Sequence, residues 1–428
     1  MSGARARQAA ADLLIETLDN RRTLDEAMTA SEVFGKLQGP DRAFARAMAS
    51  AALRQLGRID KGLAPFLSRS LDTATPPARA LLRIGAAQAW LMETPAHAVV
   101  SETVDAAKNW ARARSASGFL NAVLRKAVRD RSHFDAAPVT AIWPDWLTVE
   151  MMTSLGIEGA NALATAQLEE PDLHLTPKDP AQLQALARAL SGEVIADTSV
   201  RVPTGDVSRL EGYDNGDWWV QDAAAALPVR LLGARAGETA FDLCAAPGGK
   251  TMQLAAAGAD VVAIDRSPVR LERVRDNLGR TGLAARVEVI KAKLEDWTPP
   301  ELADRVLLDA PCSALGTLRR HPEGAWIKSP ADIARFPDVQ VRLLRAAAGM
   351  LKPGGRLVYC VCTPLKREGA DVVDRVVSEG LLERVAITPD EAGTFANGLT
   401  DEGDLVTLPD SHHGHDIFHV SRLARKTG

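Results

Sequence analysis

The sequence is poor in aromatic residues, which make up 4% of its 428 residues, and it has no cysteine before position 244. No apolar run reaches the roughly 18 residues that a membrane-spanning helix needs, so no membrane span is expected. Acidic residues soon interrupt the basic start of the chain, and a helix is therefore expected there rather than a signal peptide. The four cysteines all lie between Cys244 and Cys362, which is unlike a disulfide framework and predicts a reducing, cytoplasmic setting. Cys360 and Cys362 lack the spacing of a zinc knuckle, so no metal site is expected.

Two common nucleotide-binding patterns are missing from the Gly-rich stretch FDLCAAPGGKT at residues 241–251. A Walker phosphate loop needs a glycine where this chain has Cys244, and the G-x-G-x-x-G pattern of NAD sites is absent. Gly248 and Gly249 still let the backbone approach a ligand before a helix begins. The next predicted strand ends in Asp265, where a carboxylate can accept hydrogen bonds from ribose hydroxyls. These features favour a nucleoside cofactor such as S-adenosylmethionine; the alternative is a plain strand–helix turn with a surface aspartate.

The charge of the chain is unevenly distributed. The net charge is −4, yet residues 1–140 carry 20 basic and 14 acidic residues, which leaves the remainder acidic. A basic front part is compatible with a polyanionic partner. Chance asymmetry on solvated helices explains the charge equally well.

The periodicity of apolar residues changes along the chain and divides it into three predicted parts. Spacings of three and four residues up to about Arg131 predict an all-helical domain over residues 1–135. Residues 136–220 are predicted to be a linker and a small α/β insert. From residue 221 to 428, apolar strands alternate with amphipathic helices, which predicts an α/β domain with a mostly parallel sheet covered on both faces.

Two predicted strands of this sheet end in cysteines. VLLDAPC carries Asp309 and Cys312, and RLVYCVC carries Cys360 and Cys362. A single buried cysteine is usually an inert small hydrophobe. Several cysteines at the sheet edge beside a cofactor loop instead suggest nucleophilic chemistry.

Pyrimidine methylation gives a thiolate a specific use. Carbon 5 of cytosine becomes nucleophilic when a thiolate adds to carbon 6, and a carboxyl group at N3 stabilises the adduct. After methyl transfer a base must remove the carbon 5 proton before the thiol can leave. The chemistry therefore needs a nucleophilic cysteine, an acid and a base for the release step.

The segments DLCAAPGGKT and DAPCSALGTLRRHPE resemble the RNA cytosine-5 methyltransferases of the Sun (Fmu) type. These are bacterial enzymes of small-subunit ribosomal RNA that carry an N-terminal NusB-like helical domain, and VQD at 220–222 matches a short segment of the family. The resemblance covers nearly the whole chain. It implies a Rossmann-like methyltransferase domain that uses S-adenosylmethionine, and a NusB-like domain that binds RNA.

The resemblance also implies roles for individual residues. Cys362 would be the nucleophile, Cys312 would assist product release, Asp309 would be the acid that contacts the base, Lys250 would border the pocket and Asp265 would hold the ribose. The predicted cofactor-binding residues are Cys244, Ala245, Ala246, Pro247, Gly248, Gly249, Lys250, Asp265, Arg270 and Asp309.

The chain departs from the family pattern at three places. Thr363 and Pro364 follow the nucleophile position, and Cys360 is a rival nucleophile, although the register from Tyr359 favours Cys362. Lys293 stands near the usual third acidic cofactor contact, which must come from Glu295 or Asp296 or be missing. Residues 416–419 replace the family's Asp-Gly-Phe-Phe.

Arg319, Arg320 and His321 follow the Cys312 motif and are predicted to contact RNA phosphates, with a solvated loop as the alternative. The histidine-rich stretch 411–419 is read as a loop beside an RNA groove rather than a metal site. The expected substrate is small-subunit ribosomal RNA, bound by a monomer. Transfer RNA methylation and a non-catalytic NusB-like RNA-binding adapter are the alternatives.

Contacts with phosphates predict that RNA binding weakens steeply as salt rises, because bound cations are released from the RNA backbone. Measured between 50 and 200 mM KCl by fluorescence anisotropy with labelled RNA, the dissociation constant should rise by at least about tenfold. A dissociation constant that does not change with salt would contradict this prediction.

Overall fold

The computed structural model describes residues 3–408 and 414–427, which form two compact units. One unit is helical and comprises Met1–Glu169 together with Leu318–Ser329. The other contains the sheets and comprises Glu170–Thr317 and Pro330–Gly428. The insert predicted at 136–220 is therefore shared, since its first helices belong to the helical unit and its strands belong to the sheet unit.

The helical unit is an all-α bundle around a core rich in alanine. Its central helix, α1 (Gly3–Leu18), packs against α4, α6 and α7 and buries Ala6, Ala9 and Ala10, whose small side chains let neighbouring helices approach closely. The remaining helices are α2 (Leu24–Ala30), α3 (Glu32–Gly35), α4 (Gly39–Arg54), α5 (Leu56–Leu63), α6 (Pro76–Leu91), α7 (Ala96–Asn109), α8 (Ser117–Ala127), α9 (Ser132–Asp135) and α10 (Asp145–Gln167).

Local sequence signals set several of these helix ends. Thr23 and Glu26 form a reciprocal capping box at the start of α2. Pro76 occupies the first turn of α6, where its missing N–H costs nothing. Gly156, with φ 72°, kinks α10 into two segments.

Arg54, at the end of α4, joins distant parts of the helical unit. Its side chain is nearly buried, and Nη1 donates to the carbonyl oxygens of Gln167 (2.8 Å), Glu169 (2.9 Å) and Arg319 (2.9 Å). One guanidinium therefore contacts three carbonyls, which ties the segment 318–329 to α4 and to the end of α10.

The sheet unit begins with a small antiparallel sheet in the order β2-β3-β1-β4. This sheet lies within the small α/β insert predicted at residues 136–220. The bounds are β1 (Leu173–Pro177), α11 (Leu183–Ala189), β2 (Glu193–Ile195), β3 (Ser199–Val202) and β4 (Trp218–Val220).

A larger sheet follows, with the strand order β10-β12-β9-β8-β5-β6-β7, and β11 pairs with β12. Strands β5 to β9 are parallel, and β10 and β12 run antiparallel at one side. The elements are α12 (Ala223–Leu232), β5 (Thr239–Leu243), α13 (Gly249–Ala256), β6 (Asp260–Asp265), α14 (Pro268–Thr281), β7 (Val287–Lys291), β8 (Ala303–Asp309), α15 (Pro330–Ile333), α16 (Phe336–Gly349), β9 (Leu351–Val361), α17 (Ala370–Val377), β10 (Leu382–Arg384), α18 (Pro389–Ala392), β11 (Leu405–Val406) and β12 (His419–Arg425).

The order of the larger sheet reverses beside β5. From β5 the chain proceeds through β6 and β7 on one side, whereas β8 and β9 lie on the other. Ligands in doubly wound sheets bind outside the carboxyl ends of the strands at this switch point. The fold class predicted from the sequence is confirmed, and it places a ligand site at the end of β5. Among the helices of residues 3–408 and 414–427, none has the length and apolar character of a membrane span.

Replacing Arg54 with alanine should destabilise the helical unit, because the three carbonyls that it serves would lose their donor. The expected loss is about 2–4 kcal/mol in the free energy of unfolding, measured by denaturant titration followed by circular dichroism. Arg46→Ala, on the exposed face of the same helix, is the matched control and should change stability by less than about 0.5 kcal/mol. Equal stability of the two variants would contradict the role assigned to Arg54.

Candidate active site

The Gly-rich turn between β5 and α13 forms one wall of the site. The backbone turns at Cys244, whose φ is 66°, and again at Gly248, whose φ is 105°. A side chain at Gly248 would be strained and would come within 3.3 Å of Val274. The predicted cofactor residues Ala245, Ala246 and Pro247 lie between these two bends, so the turn presents backbone to the switch point.

Asp265, at the end of β6, braces this turn. It accepts hydrogen bonds from the amides of Ala246 (3.3 Å) and Ser267 (2.9 Å), and Arg270 Nη1 lies 3.5 Å from its Oδ2. Arg270 also donates to the Ala246 carbonyl. The Asp265 side chain is only 2% exposed. The structure thus brings Asp265 and Arg270 to the predicted cofactor loop, while direct contact with a ribose stays a prediction.

Lys250 and Asp309 form an ion pair at the carboxyl ends of β5 and β8. Lys250 Nζ donates to Asp309 Oδ2 at 2.8 Å and lies 5.1 Å from the centre of the Phe418 ring. Burial lowers the pKa of the Lys250 ammonium, but the Asp309 carboxylate opposes this, and the net pKa is above its usual value. Lys250 therefore stays charged, and the partly exposed Asp309 keeps a cationic partner.

Asp242 lies beneath the same turn and is fully buried. The Thr251 hydroxyl is 2.5 Å from its Oδ2, and burial raises the pKa of the Asp242 carboxyl to about 7. Burial also raises the pKa of the Cys244 thiol to about 12, so Cys244 remains a neutral thiol at neutral pH. Asp242 was not among the predicted site residues, and contact of the half-buried Cys244 with the cofactor stays a prediction.

Cys312 and Cys362 meet at the end of β8 and β9, with their sulfur atoms 3.4 Å apart. Both side chains are partly exposed, whereas Cys360 is fully buried with its Sγ 3.6 Å from Asp309 Oδ1. The hydrogen bond with Cys362, together with burial, raises the pKa of Cys312 well above that of a free thiol. Burial likewise raises the pKa of Cys360. Of the two cysteines in VYCVC, Cys360 is therefore buried and Cys362 is partly exposed.

Two further contacts join the loops that carry these cysteines. The Ser313 hydroxyl donates to Thr363 Oγ1 at 3.0 Å, and the amide of Gly316 donates to the Cys362 carbonyl at 2.9 Å. Gly316 also accepts a hydrogen bond from the amide of Ile417 at 3.0 Å. A Cβ at position 316 would lie 2.1 Å from the Ile417 carbonyl oxygen, so only glycine fits between the two loops.

The predicted RNA-contacting residues lie in the segment 318–329 of the helical unit. Arg319 is 8% exposed and its Nε donates to the Ala166 carbonyl at 3.2 Å, and its contact with RNA stays a prediction. The Arg319 side chain thus makes this hydrogen bond within the helical unit. The imidazole of His321 is 56% exposed and lies 3.6 Å from Glu323. Contact of Arg320 and His321 with RNA stays a prediction.

The remaining sequence interpretations concern the acidic cofactor contact and the histidines. Glu295 and Asp296 are both exposed, in a short turn after β7, and the structure selects neither as a cofactor contact.

His412 and His413 lie outside the described residues. His415 and His419 are buried, His415 edge-on to Phe395 and His419 2.9 Å from the Ser421 hydroxyl.

Known proteins match both units. The family described as 16S rRNA methyltransferase RsmB/F matches residues 229–424, and the NusB family matches residues 4–129. A protein of Vibrio cholerae named ribosomal RNA small subunit methyltransferase B is 34% identical over 400 residues, which cover 90% of each chain. A protein of the same name from Xanthomonas campestris pv. campestris is 35% identical over 402 residues, covering 90% of this chain and 89% of that protein.

This chain belongs to the RsmB/F methyltransferase family. It is an S-adenosylmethionine-dependent RNA methyltransferase with a NusB-type helical domain, as the sequence motifs implied. The residues at the switch point fit that cofactor, since a Gly-rich turn leads from β5 into α13 and carboxylates lie at the ends of β6 and β8.

Solved structures share the fold. The crystal structure of PH0851 superposes with a TM-score of 0.78 at 20% identity and covers 98% of both chains. The structure of NSun6 from Pyrococcus horikoshii with SFG gives a TM-score of 0.57 at 18% identity, covering 67% of this chain and 99% of that chain. At these identities the likeness concerns the fold alone.

Sequence reasoning missed several side chains that shape the RsmB/F site. Glu368 and Gln340 hold the Cys312 loop, and Phe418 lies beside Lys250. A glutamate six positions after Cys362 carries no signal of burial in a single sequence. Gly316 was visible inside the Cys312 motif, but only the structure shows that Ile417 packs on it.

Replacing Asp265 with alanine should weaken binding of S-adenosylmethionine by about 10–100-fold, because the amides of Ala246 and Ser267 lose their acceptor and the turn loosens. Isothermal titration calorimetry measures the dissociation constant. Asp260→Ala removes an exposed carboxylate at the start of the same strand and should leave binding within about twofold. Unchanged affinity in the Asp265 variant would exclude it from the cofactor site.

Proposed function

We propose that this protein transfers a methyl group to carbon 5 of a cytosine in small-subunit ribosomal RNA through a covalent bond between Cys362 and carbon 6 of the base. The observation that carries the proposal is the pair of thiols 3.4 Å apart, at the same sheet edge as the Lys250–Asp309 ion pair. One sheet edge thus holds two thiols and a carboxyl group, and these are the residue types that attack on carbon 6 and contact with N3 require.

The surroundings of the cysteines support Cys362 as the nucleophile. It is partly exposed at the end of β9, and Cys360, the rival on the same strand, is fully buried. Cys312 keeps its proton because its pKa is raised, first by the hydrogen bond with Cys362 and then by burial. In this assignment the Cys362 sulfur forms a bond with carbon 6. After methyl transfer a base removes the carbon 5 proton and the bond between carbon 6 and Cys362 breaks, and Cys312 assists this release as a protonated thiol.

Asp309 and Lys250 support recognition of the base. Asp309 is about one-third exposed, so one carboxylate oxygen can face a bound cytosine while Lys250 holds the other. A carboxyl group at N3 stabilises the adduct that forms when carbon 6 is attacked. The cofactor supplies an electrophilic methyl group, which the carbon 5 of that adduct can accept.

The choice of RNA rests on the relatives and on the reaction. The relatives in Vibrio cholerae and Xanthomonas campestris are named as small-subunit ribosomal RNA enzymes, and they cover nearly all of this chain. Carbon 5 and carbon 6 cannot be reached in a stacked duplex, so the target cytosine must be unpaired or flipped out.

Cys362→Ala should abolish methyl transfer, lowering the rate by at least about 10³-fold, because carbon 5 is then never activated. Cys312→Ala should still transfer one methyl group but retain the RNA as a covalent adduct that survives denaturing gel electrophoresis. Radiolabelled methyl transfer to transcribed ribosomal RNA and the gel measure the two effects.

Cys360→Ala is the control and should keep turnover within about threefold, because its sulfur packs in the core. Turnover at the wild-type rate in Cys362→Ala would refute the nucleophile assignment. Methylcytosine mapped to transfer RNA instead of ribosomal RNA would identify the other substrate, and no methyl transfer to any RNA would favour a non-catalytic adapter.

A further inference from the structure

Glu368 is a buried carboxylate that the proposed mechanism does not use. It lies in the turn after Cys362, its side chain is fully buried, and burial raises its pKa above the usual value. Oε2 accepts hydrogen bonds from the amide of Ser313 (2.8 Å) and from Gln340 Nε2 (3.1 Å). Its Oε1 is buried without a hydrogen-bond partner among the described residues. Burying such a group has a cost, so its position calls for a reason.

The contacts of Glu368 enclose Cys312 from both sides. Ser313, whose amide it accepts, directly follows Cys312. Gln340, from α16, donates to Glu368 and also to the carbonyl of Pro311, which directly precedes Cys312 (3.0 Å). The Glu368–Gln340 pair therefore fixes the backbone on each side of the cysteine.

The same residue is anchored to the strand that carries Cys362. The carbonyl of Glu368 accepts a hydrogen bond from the Tyr359 hydroxyl at 2.5 Å, and Tyr359 is fully buried on β9. Glu368 therefore contacts the Cys312 loop through its side chain and the strand before Cys362 through its backbone carbonyl. These two contacts hold together the two segments whose sulfurs are 3.4 Å apart.

We propose that Glu368 is a positioning residue that holds the Cys312 thiol beside Cys362 and acts in product release rather than in methyl transfer. This inference rests on the proposed function, since it presumes the covalent adduct. The Glu368 side chain holds the backbone next to Cys312, whereas Cys362 directly follows β9, and release needs Cys312 close to the adduct. Loss of Glu368 should therefore slow release selectively.

The test uses the full-length protein with transcribed small-subunit ribosomal RNA and labelled S-adenosylmethionine. In Glu368→Ala the methyl-transfer burst should stay within about threefold of wild type, while the steady-state rate falls about tenfold or more, because a misplacement near 1 Å can cost up to about 100-fold. The fraction of RNA held as covalent adduct should rise accordingly on a denaturing gel. Glu368→Gln keeps a side-chain oxygen that can accept a hydrogen bond from the Ser313 amide. Its steady-state rate and its adduct fraction should therefore lie between those of wild type and Glu368→Ala.

Two controls separate the possible explanations. Glu379→Gln alters an exposed carboxylate paired with Arg345 and should match wild type in burst, turnover and adduct. Cofactor binding and circular dichroism show whether each variant folds, and the near-isosteric glutamine variant keeps the test open if the alanine variant does not fold.

The outcomes separate failure of the positioning role of Glu368 from failure of the proposed covalent mechanism. If Cys312→Ala accumulates adduct but neither Glu368 variant does, the positioning role is wrong and the proposed function stands. If burst and turnover fall together in a folded Glu368 variant, the residue has a general structural role and the inference fails. If Cys312→Ala itself gives no adduct, the covalent mechanism fails first.

Discussion

The site depends on the parallel pairing of β8 and β9. This pairing sets Asp309 opposite Cys360, so that the two loops beyond these residues leave the sheet side by side. Cys312 and Cys362 are 50 residues apart in the sequence, and the pairing brings their sulfurs to 3.4 Å. A shift of one residue would turn alternate side chains to the other face of the sheet and separate the two thiols. The register between β8 and β9 therefore sets the positions of Asp309 and of both thiols at the sheet edge.

Buried charge is the second constraint on the site. Lys250, Asp309, Asp242 and Glu368 lie close to the sheet edge, where water cannot stabilise all of them. The ammonium of Lys250 is paired with Asp309, and the Asp242 carboxyl, whose pKa is raised to about 7, is held by Thr251. Because an unpaired buried charge is costly, these contacts fix the orientation of the groups.

The motif DAPCSALGTLRRHPE, residues 309–323, contributes to both units. Its first part carries Cys312 and Gly316 in the sheet unit, and the residues from Leu318 onward fold with the helical unit. In that unit the carbonyl of Arg319 accepts a hydrogen bond from Arg54, and the Arg319 side chain donates one to the carbonyl of Ala166. The Arg319 side chain, which was predicted to contact RNA phosphates, thus donates a hydrogen bond to a backbone carbonyl within the bundle.

The sequence by itself determined the fold class, the family and the residue types of the site. Apolar periodicity separates helices from buried strands, and the motifs around Gly248 and Cys312 are local patterns that a single chain displays. Tertiary structure alone decided which residues meet. It buried Cys360 and left Cys362 partly exposed, turned Arg319 inward, placed Ile417 against Gly316, and brought Glu368 and Gln340 to either side of Cys312. The reason is physical: burial and hydrogen-bond partners arise from packing between segments far apart in the chain, and local sequence patterns do not encode that packing in readable form.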